Sequence, residues 1–222
     1  MTPQRLFWTL CLSAAGILAI TMGIRQSMGL FVSPINTATG LGIVNISFAL
    51  AVGQFVWGAA QPIAGALADK AGSARVIWVG VVLLAIGLAL TPLVNSTFTL
   101  MLVLGVLSAA GSGGASFSIL IGAIAQRLPA ERRAFAAGFV NAGGSFGQFV
   151  FAPLTQFFIT VMGWVGALWT LAVMALAAIP LALPFGGKSA AAASAAAQAS
   201  TTVTLGQQLK LAFADRSYWC LH

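Results

Sequence analysis

The chain carries one short charged island between two long uncharged runs, Gly65-Ala66-Leu67-Ala68-Asp69-Lys70-Ala71-Gly72-Ser73-Ala74-Arg75. No Asp, Glu, Lys or Arg occurs from Gln26 to Ala68, and none occurs again from Val76 to Gln126. Each run has room for two membrane-crossing helices of about 20 residues with a turn between them. The island is therefore predicted to be a short hydrophilic turn that joins two buried hairpins.

The composition of the 222-residue chain is that of an integral membrane protein surrounded by a lipid bilayer. Charged residues make up 6% of it, hydrophobic residues make up 59%, and the mean hydropathy is +1.00. A soluble domain carries about 25% charged residues. The net charge of +7 does not indicate a nucleic-acid partner, because the cations are spread over predicted loops with no interleaved aromatic residues.

The residues that usually carry catalysis or bind metals are scarce. Cys11 and Cys220 lie at opposite ends of the chain without metal-ligand spacing, and the one histidine is the final residue, His222. The sequence shows no nucleophile–base pair, metal cluster or phosphate-binding loop. It therefore predicts neither an enzyme, a metal site nor a cofactor.

We predict six transmembrane helices, at 7–32, 46–67, 76–91, 98–124 and 134–159, with a sixth that ends near Pro184. The expected connections include a turn at 34–45, a loop at 126–133 and a tight turn at 162–164. The charged residues of the loops all fall on one side of this arrangement. Because cytoplasmic loops collect Lys and Arg, both termini are predicted to be cytoplasmic, in a multi-pass protein of the cell (inner) membrane.

The sequence changes character after the predicted bundle, which occupies residues 1–185. Residues 186–204 are mostly Ala, Ser and Gly, which indicates a low-complexity cytoplasmic linker. Residues 205–222 are predicted to form an amphipathic helix followed by the start of a seventh span. We expect the chain to be one half of a larger transporter. The alternatives are a six-helix unit that homodimerises and a truncated or structural fragment without transport activity.

Polar side chains follow stripes on two of the predicted helices. The second and fifth helices repeat small and polar residues at three- and four-residue steps: Ser47, Ala51, Gln54, Gly58, Gln61 and Gly65, then Gly138, Asn141, Ser145, Gln148, Ala152 and Thr155. The order of polar, polar and apolar helices occurs twice, which indicates two three-helix inverted repeats whose third helices face lipid. Close helix packing is the simpler interpretation of Gly58, Gly65, Gly138, Gly143 and Gly147.

The large amides and one arginine are the candidate binding residues. Gln54, Asn141 and Gln148 either line a cavity or bond to neighbouring helices. Arg25 lies inside an apolar run, where an arginine faces a cavity or a partner, or extends to the membrane surface. We favour the cavity. No Asp or Glu lies in a predicted span to neutralise Arg25, so its natural partner is an anion from outside the chain or an acid in another part of the protein.

The charged island resembles a signature of the major facilitator superfamily of transporters. Gly-x-x-x-Asp-Lys-x-Gly followed by a basic residue is similar to that family's loop between helices 2 and 3, although Ser73 and Ala74 stand where the family has basic residues. The resemblance implies half of a twelve-helix fold. It also implies a conformational latch in which Asp69 caps a helix end or pairs with an arginine in one state only. The residues assigned to this latch are Gly65, Asp69, Lys70, Gly72 and Arg75.

A narrower resemblance points to monocarboxylate porters and their bacterial relatives. Glu131–Ser145 resembles the start of helix 5 in that branch, and Gly23–Phe31 resembles its helix 1. The resemblance implies that Arg25 contacts a substrate carboxylate, in a secondary transporter that moves a small organic anion by alternating access. Protons are a candidate coupling ion, and a second half or a second copy is the expected partner. Leu107 and Ala142-Gly143 depart from the superfamily's helix-4 arginine and antiporter motifs, so drug–proton antiport is not implied.

Overall fold

The structure is a computed structural model that describes residues 2–186, and this part of the chain is helical without strands. Its α-helices are α1 Pro3–Ser27, α2 Val32–Thr39, α3 Ile43–Ala71, α4 Ser73–Leu90, α5 Thr97–Leu100, α6 Ala109–Gly114, α7 Phe117–Ala125, α8 Ala130–Leu176 and α9 Ala178–Leu181. Short 3-10 segments cover Met28–Phe31, Thr91–Leu93 and Leu183–Phe185, and a π-helical segment covers Met101–Ser108.

Five continuous helical runs in residues 2–186 are long and apolar enough to cross a membrane: Gln4–Thr39, Ile43–Ala71, Ser73–Leu93, Thr97–Ala125 and Ala130–Phe185. The all-helical membrane fold is confirmed, but the count of continuous runs is five rather than the predicted six. The fifth run has 56 residues, about 80 Å of helix against a hydrocarbon core of about 30 Å. Gly163 interrupts it with φ 71° and ψ 170°, so two helices meet at a kink without an intervening loop.

The first connection is shorter than predicted. The expected turn at 34–45 is wrong, because the helical run continues through α2 to Thr39. Pro34 is the third residue of α2 and lies in its first turn. Backbone N–H groups in the first turn of a helix have no carbonyl partner within that helix, so the missing N–H of proline costs little there. The turn consists of Gly40, Leu41 and Gly42, with the glycines at φ 65° and 89°. The loop predicted at 126–133 is also shorter, because α8 begins at Ala130.

Close glycine contacts join α1 to α8. A Cβ on Gly143 would lie 2.6 Å from the Ala15 Cβ, and one on Gly147 would overlap the Ala19 carbonyl oxygen. These two glycines are therefore packing residues, as the sequence indicated. Gly58 and Gly138 do not pack against another helix within residues 2–186, since a Cβ at either position would meet no atom of this part of the chain within 4 Å.

The third run packs along one face only. A Cβ on Gly80 of α4 would lie 2.6 Å from the Gly111 carbonyl oxygen, so α4 and α6 approach closely. The opposite face of α4 exposes apolar side chains, among them Trp78, Val79 and Val82. The apolar face of α4 is thus suited to contact lipid, while the small residues on its other face pack against the fourth run, Thr97–Ala125.

The charged loops gather at one end of the bundle. Arg127, between α7 and α8, donates hydrogen bonds to the carbonyl oxygens of Pro184 and Phe185, the latter at 2.6 Å, and burial lowers its pKa. The Arg132 guanidinium carbon lies 5.3 Å from the Phe7 ring centroid, which brings the start of α8 to the start of α1. The predicted linker and amphipathic helix, apart from Gly186, lie outside the described residues.

Candidate functional site

Arg25 lies in the last turn of α1 and reaches across to α3. Its guanidinium carbon is 3.9 Å from the centroid of the Trp57 ring, a cation–π contact. The side chain is half-buried. The helical run continues 14 residues beyond Arg25 to Thr39, about 21 Å of helix rise. The guanidinium therefore lies against the neighbouring span, with further helix on both sides of Arg25 along the run.

One cavity lies beside Arg25 and is called here the Arg25 cavity. Its volume is about 290 Å³, and it is lined by residues of α1, the 3-10 segment Met28–Phe31, α3, α4, the π-helical segment and α6. Arg25 and Gln54 are both in its wall, so the structure brings these two predicted site residues together. Leu84 and Leu88 of α4, with Leu104 of the π-helical segment, form an apolar part of the same wall.

A second cavity, called here the Asn141 cavity, holds the other two predicted residues. It has a volume of about 280 Å³, and Asn141 and Gln148 of α8 line it together with Gln61 of α3 and Ser118 of α7. The Ser118 hydroxyl donates a hydrogen bond to the Gln61 Oε1 at 3.0 Å. Side-chain amides and hydroxyls dominate its polar wall, whereas the Arg25 cavity has a charged group.

Trp57 connects the two cavities. Its ring lies against Arg25 and also lines the Asn141 cavity. Its indole N–H is buried and has no hydrogen-bond partner among the described residues. A buried donor without a partner is unusual, because leaving it unpaired costs free energy. A bound acceptor would reach this donor only if the Trp57 side chain moved.

Sequence reasoning missed Trp57, although its spacing was informative. Gln54, Trp57 and Gln61 follow one another at steps of three and four residues, so all three lie on one face of α3. Within an apolar span, however, an aromatic residue carries no signal that separates it from lipid-facing neighbours.

The two cavities follow one another along the helix axes. Met22 lines the Asn141 cavity and Met28 lines the Arg25 cavity, so the order along α1 runs from one to the other. Along α3, which returns after the Gly40–Gly42 turn, Gln61 precedes Gln54 when counted from the charged loop. The Asn141 cavity is therefore nearer the charged end of the bundle.

The five predicted latch residues surround a one-residue turn. Gly72 alone separates α3 from α4 and has φ 92° and ψ 138°, a conformation that is strained for residues with a Cβ. Asp69 and Lys70 are exposed in the last turn of α3, and Arg75 is exposed near the start of α4. Gly65 is half-buried, with the Ile119 side chain 4.0 Å from the position of an added Cβ.

The polar faces of α3 and α8 are open in the described bundle. Gln54 and Asn141 are exposed, and Gln148 is half-buried. In an apolar stretch of 18 residues of α3, only 17% of the residues are buried, whereas 50% are buried in the corresponding stretch of the run that contains α4. The second span therefore has much surface that nothing in residues 2–186 covers.

Comparison with known proteins agrees with this architecture. The model of a family described as the Major Facilitator Superfamily matches residues 11–222. The chain belongs to this superfamily. Membership places it among membrane transporters rather than enzymes.

Several curated relatives are named as transporters of carboxylates. The chain is 31% identical over 169 residues to "Monocarboxylate transporter 13" of Rattus norvegicus. These 169 residues are 76% of this chain and 39% of the relative. It is 30% identical over 174 residues to "Monocarboxylate transporter 11" of Mus musculus, covering 78% and 38%. It is 26% identical over 161 residues to the "Oxalate:formate antiporter" of Oxalobacter formigenes, covering 72% and 37%. The match thus spans less than two fifths of these relatives.

Proposed function

We propose that these helices form one half of a secondary transporter for small monocarboxylate anions, in which Arg25 binds the carboxylate. The observation that carries the proposal is the position of Arg25, on a cavity wall between two spans with its guanidinium against Trp57. An arginine inside a membrane is costly and is usually paired or functional. The names of the relatives support the same substrate class.

The described spans offer Arg25 no nearby carboxylate. The two acidic residues among residues 2–186 lie at helix ends, Glu131 in the first turn of α8 and Asp69 in the last turn of α3. Asp69 is 12 residues from Trp57 along α3, about 18 Å of helix rise. A substrate anion would therefore supply the negative charge that pairs with the half-buried guanidinium.

Two donors in the wall of the Arg25 cavity could hold such an anion. The guanidinium presents paired N–H groups that match a carboxylate, and the Gln54 amide lies in the same wall. The Trp57 indole N–H, which is buried and lacks a partner in residues 2–186, would add a third donor if its side chain turned toward the cavity. We assign Asn141 and Gln148 to the neighbouring part of the route, where amides bind the polar groups of a passing substrate.

The second half of the binding site comes from a partner with its own helices. The open polar faces of α3 and α8 are the surfaces that such a partner would meet, and it is either a further six-helix half or a second copy of this chain. Rocking of the two halves would expose the cavity to each side in turn. In this cycle the turn at Gly72 and the Asp69 carboxylate form the latch.

Protons are the proposed coupling ion. The described spans hold no carboxyl group between their ends, so this half offers no acid that could carry a proton beside Arg25. The proton would travel with the substrate or on the partner half.

Exchange in proteoliposomes tests the proposed function. The chain, reconstituted with its second half or at densities that favour dimers, should exchange labelled butanoate in a saturable way, and it should not carry the uncharged butanamide. Equal transport of acid and amide would contradict an anion site. Transport by the isolated monomer would contradict the need for a partner.

A further inference from the structure

The starts of α1 and α8 lie side by side at the charged end of the bundle. The ring centroids of Phe7 and Phe135 are 6.1 Å apart near these starts. Farther along both helices, a Cβ on Gly23 would lie 2.6 Å from the Phe151 ring. The two helices therefore run in the same direction, and their first turns share one membrane interface.

Four aromatic rings join these two starts, and we call them the aromatic cluster: Phe7, Trp8, Phe135 and Phe139. Trp8 lies edge-on to Phe7 and to Phe139, with ring centroids 5.4 Å and 5.7 Å apart. Within residues 2–186 the cluster has an open side, since Trp8 is 40% exposed and Phe135 is 57% exposed. Aromatic rings are enriched at the boundary between lipid and water, so the cluster is suited to contact an acyl chain there.

Two arginines border the aromatic cluster on the side of the helix starts. The Arg132 guanidinium carbon lies 5.3 Å from the centroid of the Phe7 ring, which is within the range of a cation–π contact. Arg5 is exposed and lies three residues before Trp8 on α1. Residues three positions apart share a face of a helix, so cationic groups of both helices lie next to the apolar surface.

The positive charge at these helix starts exceeds the negative charge. The first turns contain Arg5, Arg132 and Arg133 against one acid, Glu131, so three positive charges and one negative charge leave a net charge of +2. Arg133 donates a hydrogen bond through Nε to the Leu128 carbonyl oxygen at 3.0 Å, and this neutral group does not cancel its charge. An anionic ligand is therefore favoured here, and the adjoining rings favour one with a hydrocarbon part.

We infer that this surface binds an anionic phospholipid, whose phosphate lies at Arg5 and Arg132 and whose acyl chain lies along Trp8, Phe135 and Phe139. Complementarity of charge identifies the occupant, because each basic side chain near an anionic lipid surface contributes about fivefold to binding. The predicted cytoplasmic location of this end would place the surface in the leaflet that carries the negative surface potential. Bound lipid should also offset the repulsion among the arginines and stabilise the contact of α1 with α8.

The lipid site is separate from the proposed carboxylate site. Arg25 is 20 residues beyond Arg5 on α1, about 30 Å of helix rise. The two sites also bind different ligands, a membrane lipid and a small solute. Failure of one proposal therefore leaves the other untouched.

Native mass spectrometry of the purified 222-residue chain in detergent tests the inference. The chain is titrated with phosphatidylglycerol, which is anionic, and with phosphatidylcholine of the same acyl chains, whose choline group cancels the charge of its phosphate. Phosphatidylglycerol should bind at least about fivefold tighter, and this difference should shrink at high ionic strength because exposed charges are screened. Glycerol phosphate supplies the head without an acyl chain and should not bind at the same concentrations.

Charge variants locate the phosphate. Arg5→Gln and Arg132→Gln should each weaken the binding of phosphatidylglycerol by about fivefold, and together by about 25-fold, with little effect on phosphatidylcholine. Arg75→Gln is the matched control, since Arg75 is also exposed at the charged end but lies near the start of α4, and it should leave both affinities unchanged. Thermal midpoints in lipid-free detergent control for folding.

Aromatic variants locate the acyl chain. Phe135→Gln removes part of the exposed apolar surface, so it should weaken the binding of both lipids by about three- to tenfold. Phe98→Gln is the control, because Phe98 is an exposed phenylalanine of α5 at the opposite end of the bundle. It should change neither affinity.

Three results would overturn the inference. The first is equal binding of phosphatidylglycerol and phosphatidylcholine, or arginine variants that behave like Arg75→Gln. The second is glycerol phosphate binding as tight as that of phosphatidylglycerol, which would indicate a soluble phosphate ester rather than a lipid. The third is loss of the phosphatidylglycerol preference when the second half is added, which would make the partner half the occupant of this surface.

Discussion

Trp57 has an aromatic ring that lies against Arg25 and an indole N–H without a partner in residues 2–186. Substitution by phenylalanine or leucine tests these two features separately. Trp57→Phe keeps an aromatic face beneath Arg25 but removes the unpartnered N–H, and Trp57→Leu removes both. Hydrogen bonds to charged groups are worth about 1.5–3 kcal/mol, so we expect Trp57→Phe to weaken carboxylate binding by about ten- to a hundredfold. Trp57→Leu should weaken it further. Equal affinities of wild type and Trp57→Phe, measured by titration, would show that the indole N–H does not contact the substrate.

The charged loop depends on the backbone conformation of Gly72. Gly72→Ala should lower the free energy of unfolding by about 1–3 kcal/mol, because φ 92° with ψ 138° is unfavourable for any residue with a Cβ. Gly122→Ala is the matched control, since Gly122 lies inside α7 and an added Cβ there meets no atom within 4 Å. The measurement is thermal unfolding in detergent, and similar midpoints for the two variants would contradict this account of the turn.

Residue-level prediction succeeded where polarity stands out against an apolar background. Arg25, Gln54, Asn141 and Gln148 could each be selected from the sequence, and each lies in a cavity wall. Which of them share a cavity could not be predicted, because that depends on the angles at which the helices cross. Their role in binding remains a prediction.

At the scale of elements, the crossing of α1 and α8 depends on glycines. Gly147→Ala should lower the free energy of unfolding by about 1–3 kcal/mol, because its Cβ would overlap the Ala19 carbonyl oxygen and force the helices apart. Gly138→Ala on the same helix is the control, since its Cβ meets no atom within 4 Å. Chemical or thermal unfolding of both variants checks this, and an unchanged Gly147→Ala would show that the crossing can relax freely.

Helix boundaries were predictable where a charge or a glycine marks them. The signature loop was placed correctly because Asp69, Lys70 and Gly72 interrupt an apolar pattern. Pro34 was misleading, since proline ends a helix in its interior but is tolerated in its first turn. Gly163 was correctly chosen as a turning point, yet its single-residue kink keeps the last two spans in one helical run, which sequence spacing could not show.

For the whole molecule, the charged loops lie at one end of the bundle, and this predicts the orientation of the chain in the membrane. Cysteines introduced at Ala71 or Ala130 should react with an impermeant maleimide only after the membrane is opened, because those positions lie beside the basic loops. Cysteines at Ser96 or Gly163 should react in intact cells. Cys11 is buried, and Cys220 is replaced by serine in every variant to remove background labelling. Labelling of position 71 from outside would reverse the proposed orientation.

The general architecture was predictable from composition and run length, because a bilayer permits few structures for an apolar chain of this size. The open faces of α3 and α8 follow from the polar stripes, but their partner cannot be read from one half. A second half and a second copy would satisfy the same faces.

Carboxylate affinity in Arg25 variants tests the central claim most directly. Arg25→Lys keeps the charge but loses the paired geometry, and Arg25→Gln loses both, so hexanoate affinity should fall in the order wild type, lysine, glutamine. The loss in Arg25→Gln should be about ten- to a hundredfold, with helical content and thermal midpoint as controls for folding. Equal hexanoate affinities of wild type and Arg25→Gln would remove Arg25 from the binding site and contradict the proposed anion transporter.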